Sequence, residues 1–236
     1  MYILTREDMD DIAMRLLNEY APNVLKYPQP VGIGMIAEEK MGLTLKYQYL
    51  SAQGNISGLL AFDDTEFDCF DSLFRPVKLE IPGGTVLIDS NLSDRKNYPR
   101  RRYTISHEVC HWILHRSYHS PQNKQYQFRS QSNVLIACRD SDICRERKSR
   151  DLVTDHDWEE WQADALAAAV IMPLTTFREE SSRIIHGTTG ARFLHQDMRK
   201  AIFYDTISNG HAKIKIYQNG IERHEINEPF ELQKIC

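Results

Sequence analysis

No stretch of the sequence approaches the ~20 consecutive apolar residues that cross a bilayer, so a membrane span is not expected. Nor does the chain open with a basic and then apolar leader. Its start, Met1-Tyr-Ile-Leu-Thr-Arg-Glu-Asp, is no signal peptide, and a soluble cytoplasmic protein is expected. An excess of charge of either sign is also missing, with 29 basic against 33 acidic side chains. Without a basic balance, direct binding to nucleic acid is not expected. C-x-x-C pairs are absent, and the five cysteines (Cys69, Cys110, Cys138, Cys144, Cys236) are odd in number. These counts argue against a thiolate zinc site or a disulfide framework and point to reduced thiols. The 236 residues suffice for one sizeable core or two small ones.

What the chain does carry is His107-Glu108-Val109-Cys110-His111, which reads H-E-x-x-H. On a helix, residues four apart sit ~6 Å apart along one face, so both imidazoles can reach a single metal ion. Two of the usual three protein ligands of a catalytic zinc are thereby supplied. Glu108 is turned further round the same side, where it can act on a water beside the metal as general base without ligating it. Ile105, Val109, Trp112 and Ile113 form an apolar stripe opposite His107, Glu108, His111 and His115, as in an amphipathic helix, with Thr104 a plausible N-cap. The competing reading is a surface helix with solvated histidines, which Arg100-Arg101-Arg102 would suit. If the helix continues, His115 lies ~12 Å along the axis from His107, too far to share its metal, and no glycine breaks the helix between. A third ligand must then come from another element.

Downstream, Asp157-Trp-Glu-Glu-Trp-Gln-Ala-Asp-Ala-Leu-Ala-Ala-Ala-Val-Ile-Met-Pro173 reads as an alanine-rich helix ended by proline. Glu160 and Asp164 share one face, with Ala163 and Ala167 small enough for close approach to the first helix. Glu160 can ligate zinc while Asp164 holds a ligand histidine by its other ring nitrogen. Taken alone, the segment reads as an ordinary helix with acidic residues near its N-terminus, favoured by the helix dipole. Asp155 and His156, just before it, are weaker competitors for the metal.

H-E-x-x-H-W-x-x-H followed by W-x-E-x-Q-A-D-x-x-A-x-x-x-x-M-P resembles the ImmA/IrrE metallo-endopeptidases. The similarity extends to an N-terminal helix, to Gly84-Thr-Val-Leu-Ile-Asp89, and to Arg102-Tyr-Thr-Ile-Ser leading into the motif. The resemblance implies one catalytic Zn2+ held by His107, His111 and Glu160, with Glu108 as catalytic base. It also implies a regulatory protease cleaving a helix-turn-helix transcriptional repressor of a mobile element or stress locus. Cys110 stands where the family commonly has glycine, and Gln162 where it commonly has a second acidic residue. A lapsed enzyme that binds a repressor or DNA without turnover is the alternative, and a complete set of ligands and base argues against it.

The remaining chain outlines the fold. Thr5 and Asp8 open a helix carrying Met9, Ile12, Ala13, Leu16, Leu17 and Tyr20 at helical period until Pro22. Ile33, Ile36, Ala37 and Met41 suggest a short helix closed by Gly42. Leu43, Leu45, Tyr47 and Tyr49 alternate as a half-buried strand, Ile56 to Phe62 reads as a second strand, and Asp63-Asp64 as a turn. Val77 to Ile81 and Thr85 to Ile88, joined by Pro82-Gly83-Gly84, read as a hairpin. Val134 to Ala137 suggests another strand within a long polar stretch. Leu194, Met198, Ala201, Ile202 and Asp205 suggest a late helix, while Ile207 to Tyr217 is open between helix and strand because Ile214 and Ile216 alternate. The fold expected is α+β: a zincin-like metallopeptidase domain over residues 1–175, with a small mixed or antiparallel sheet on the active-site helix, then a mostly helical extension over 176–236.

Overall fold

The computed structural model describes residues 3–119, 135–139, 152–177, 179, 214–218 and 221–226. The first helix, α1 (Arg6–Tyr20), starts at a capping box: the Asp8 N–H donates to Thr5 Oγ1 at 3.2 Å and the Thr5 N–H to Asp8 Oδ2 at 2.7 Å. A short turn, α2 (Ile33–Met35), continues as the π-helical Ile36–Lys40 and stops where Gly42 takes a φ of +69°.

Five strands follow: β1 (Thr44–Gln48), β2 (Ile56–Ala61), β3 (Thr65–Phe70), β4 (Pro76–Ile81) and β5 (Thr85–Asp89). Three of them, β1, β2 and β5, form with β6 (Leu135–Arg139) a four-stranded mixed sheet in the order β1-β5-β2-β6. There β1 runs parallel to β5, and β2 is antiparallel to both β5 and β6. The expected hairpin between Val77–Ile81 and Thr85–Ile88 does not form. Instead β4 pairs with β3, Thr65 facing Ile81 and Phe70 facing Pro76, while β5 enters the larger sheet. The reason lies in the Pro82-Gly83-Gly84 segment: the Gly83 N–H donates to Asp64 Oδ1 (2.9 Å) and the Gly84 N–H to Ala61 O (2.8 Å). Tied to the end of β2 in this way, the segment carries the chain from one sheet to the next.

Alternation along β2 and β5 covers both faces of the larger sheet. Leu60, Val86 and Ile88 join the main core, and Leu59, Ala61 and Leu87 join a smaller cluster with Leu50 and Ile81, against which Phe67 and Leu79 of the β3–β4 hairpin pack. That is why Leu59, Leu60 and Ala61 of β2 are consecutive apolar residues.

Helix α3 (Tyr98–His115) lies on the sheet. It starts six residues before Thr104, with Pro99 in its first turn, where the missing N–H has no intrahelical partner to lose. Thr104 is therefore no N-cap; it sits inside the helix and donates back to the Arg100 carbonyl at 3.0 Å. The three arginines that suggested a solvated face anchor this end: Arg100 reaches Ser57 Oγ (2.7 Å), Arg101 the carbonyls of Leu92 and Ser93 (3.2 and 2.6 Å), and Arg102 is buried. Helix α4 (Asp155–Ile171) begins at a second capping box, Thr154 with Asp157. Its Ala163, Leu166, Ala167 and Val170 share the core with Met9, Ala13 and Leu17 of α1 and Val109 of α3. Small side chains let α4 approach α3 closely, and Ser106 Oγ lies 3.5 Å from the Ala167 carbonyl.

Beyond residue 179 the described residues form a hairpin of β7 (Ile214–Gln218) and β8 (Ile221–Ile226) rather than helix. The period of two at Ile214 and Ile216 belongs to a strand. The helix expected around Leu194 to Asp205, and the charged run after Arg139, lie outside the described residues.

Candidate metal centre

Helix α3 presents His107 and His111 on the side facing α4, and α4 presents Glu160 to them. The two Nε2 atoms are 2.9 Å apart; Glu160 Oε2 lies 3.5 Å from Nε2 of His107 and Oε1 lies 3.4 Å from Nε2 of His111. Ligands ~2.0–2.1 Å from a tetrahedral ion are about 3.3 Å from one another, so these three donors are spaced to hold one. All three residues are at most 1 % exposed, which removes the solvated-surface reading of the helix. Neither Glu160 oxygen has a hydrogen-bond partner among the described residues. A buried carboxylate in that position is costly unless a cation neutralises it. Among the described residues this is the one His/Cys/Asp/Glu group spaced for a metal.

Protonation follows from the same arrangement. Burial works against a charged His107, but its hydrogen bond to Asp164 and the Glu160 carboxylate 3.5 Å from its Nε2 outweigh that and raise its pKa well above the usual range. For His111 burial wins and the pKa falls; Glu160, despite burial, is held well below the usual carboxylate range by the two histidines. A proton held between these imidazoles and Glu160 balances the carboxylate's charge. A metal ion would take that proton's place, as metal binding to imidazole generally does.

Outside the three donors, Asp164 Oδ1 lies 2.8 Å from Nδ1 of His107 and also accepts the Tyr103 hydroxyl at 2.7 Å. Because a carboxylate only accepts, the His107 proton sits on Nδ1 in the neutral ring and leaves Nε2 bare toward the cluster centre. His115 lies outside the cluster and meets His111 instead, Nδ1 to Nδ1 at 3.1 Å, while its Nε2 is 3.3 Å from Gln162 Oε1. Burial, and next His111, press the His115 pKa down to about 3, so this ring is neutral. Glu159, next to Glu160 in sequence, turns away and pairs with His119 at 2.9 Å. Asp155 takes the Tyr118 hydroxyl (2.9 Å) and His156 is exposed, so neither competes for the centre.

Glu108 is completely buried against β2, where a Cβ on Gly58 would fall 2.8 Å from its Oε1. Cys110 is buried behind the motif with its thiol pKa pushed up by burial, as packing in the core requires. Sequence reasoning had not singled out Tyr103 or Gly58, nor the His119–Glu159 pair. The spacing of His115 in H-E-x-x-H-x-x-x-H excludes it as a ligand without giving it a partner.

The family model of peptidase M78, the IrrE N-terminal-like domain, matches residues 64–194. The chain belongs to the M78 peptidase family. A search of curated proteins finds no match. The M78 match runs from β3 to beyond α4, so it contains every donor of the cluster and Glu108, while Gly58 on β2 lies outside it. Membership supports a metallopeptidase-type activity on a protein substrate. The mixed sheet with its packed helices agrees with the α+β, zincin-like expectation. No described helix is long and apolar enough to cross a membrane.

Proposed function

We propose that the protein is a zinc-dependent endopeptidase, cytoplasmic, whose substrate is a helix-turn-helix transcriptional repressor encoded by a mobile element or stress-response locus. The observation that carries the metallopeptidase reading is the convergence of His107, His111 and Glu160 within 4.8 Å of one another, with Glu108 on the same helix. The repressor substrate is supported by the sequence resemblance alone. Residues 1–175 would form the catalytic unit.

A bound Zn2+ would polarise the scissile carbonyl and bring the pKa of the attacking water toward ~7. Glu108 accepts the proton of that water as oxygen adds to the carbonyl carbon. It then returns the proton to the amide nitrogen as the C–N bond breaks, so that an acid and an amine leave. Asp164 keeps His107 in the tautomer whose Nε2 is bare and, with Tyr103, fixes its ring. Asp164→Asn should therefore weaken zinc affinity ~10 to 100-fold, measured by competition with a chromophoric chelator. Unchanged affinity would reduce Asp164 to a packing residue.

The functional test uses the purified protein loaded with zinc and the helix-turn-helix repressor encoded beside it, followed by mass spectrometry over time. Cleavage at one or a few bonds, abolished by a chelator, is expected. Stable binding with no cut under any condition would favour the contact-only alternative.

A further inference from the structure

Each metal-facing histidine has a second ring nitrogen, and different chemistry holds the two. Nδ1 of His107 meets a carboxylate, Asp164, at 2.8 Å. Nδ1 of His111 meets Nδ1 of His115 at 3.1 Å, and Nε2 of His115 meets Oε1 of Gln162 at 3.3 Å. His111, His115 and Gln162 are all buried to within 1 % of complete exclusion. We propose that His115 and Gln162 are positioning residues, a one-way hydrogen-bond chain that sets the ring orientation and tautomer of His111.

The direction of the chain follows from counting donors. An imidazole offers a metal a bare nitrogen, so the proton of His111 sits on Nδ1. That N–H donates to Nδ1 of His115, which must be bare in turn, leaving the His115 proton on Nε2. There it donates to the Gln162 carbonyl oxygen. Two histidines one turn apart on α3 thus carry opposite tautomers. Every member of this arm is neutral, whereas Asp164 brings a full charge to the other, so the two ligand histidines are oriented equally but polarised unequally.

The inference rests on the metal reading of the site, and the experiment separates the two. In the zinc-loaded protein, 15N shifts of the imidazole rings should show His111 protonated at Nδ1 and His115 at Nε2. A His115 ring protonated at Nδ1 would overturn the proposal. By chelator competition, His115→Leu, which keeps bulk and removes the acceptor, should bind zinc ~10 to 100-fold more weakly than wild type. His115→Asn, whose side-chain carbonyl can stand near the position of Nδ1, should recover most of that loss. Leu binding as tightly as wild type, or Asn as weakly as Leu, would overturn the proposal while leaving the metal centre standing. A wild type that takes up no zinc would overturn the metal reading and this inference with it.

Discussion

Glu108→Gln is expected to fold and hold zinc like the wild type while losing at least two orders of magnitude in cleavage rate. Glutamine keeps the shape of the side chain and can hydrogen-bond water, but it cannot take up the water's proton. Glu108 is buried on the helix that supplies two of the cluster's donors, without being one of them. On the proposed roles the substitution removes a base and no ligand. General-base catalysis contributes ~10² to 10⁴-fold, which sets the size of the expected loss. The comparison is a time course of repressor cleavage by both proteins at equal zinc occupancy. A variant cutting at the wild-type rate would remove Glu108 from the mechanism.

Gly58→Ala should be nearly as damaging, from a residue that carries no chemistry. The added methyl would fall 2.5 Å from Cγ2 of Thr104, 2.8 Å from Oε1 of Glu108 and 3.1 Å from its Cγ. Distances that short force something to move. Strand β2 is held on both sides, by β5 and β6, and Thr104 is β-branched and fully buried, so the glutamate is the part that yields. The φ of Gly58 is not positive, so what demands glycine here is the close approach of strand and helix. Overpacking of this kind costs about 1–3 kcal/mol of stability. A misplacement of ~1 Å at a reacting group costs about 100-fold in rate. Thermal unfolding, zinc content and cleavage measured on one preparation should show modest destabilisation, retained metal and a rate down by that order. Full activity would mean that Glu108 is not seated against β2 during turnover.

Both predictions rest on contacts of different legibility. His107, Glu108 and His111 stood out because their relation is local: four residues on a helix bring two rings to one face whatever the rest of the chain does. Glu160 required a second helix, and its period with Asp164 and the small Ala163 and Ala167 was readable, though the side of α4 facing α3 was fixed only by the core. The Asp164 contact with Tyr103 spans 61 residues and that of His115 with Gln162 spans 47, so no spacing rule reaches them. The β3–β4 hairpin was missed because a Pro-Gly-Gly turn looks the same whether it folds a strand back or hands it to another sheet. Hydrogen bonds to Asp64 and Ala61 decide between the two. The early start of α3 was hidden by Arg100, Arg101 and Arg102, whose charge suggested solvent while their guanidinium groups bind Ser57, backbone carbonyls and the protein interior.

Metal content tests the central claim most directly, because it needs no knowledge of the substrate. Wild type, His107→Ala, His111→Ala, Glu160→Ala and Glu159→Ala would each be loaded with zinc, desalted and analysed by inductively coupled plasma mass spectrometry. The account predicts about one zinc per chain in the wild type. It predicts loss or marked weakening in the first three variants, and full occupancy in Glu159→Ala, whose carboxylate pairs with His119 instead. Full zinc in Glu160→Ala with loss in Glu159→Ala would contradict it.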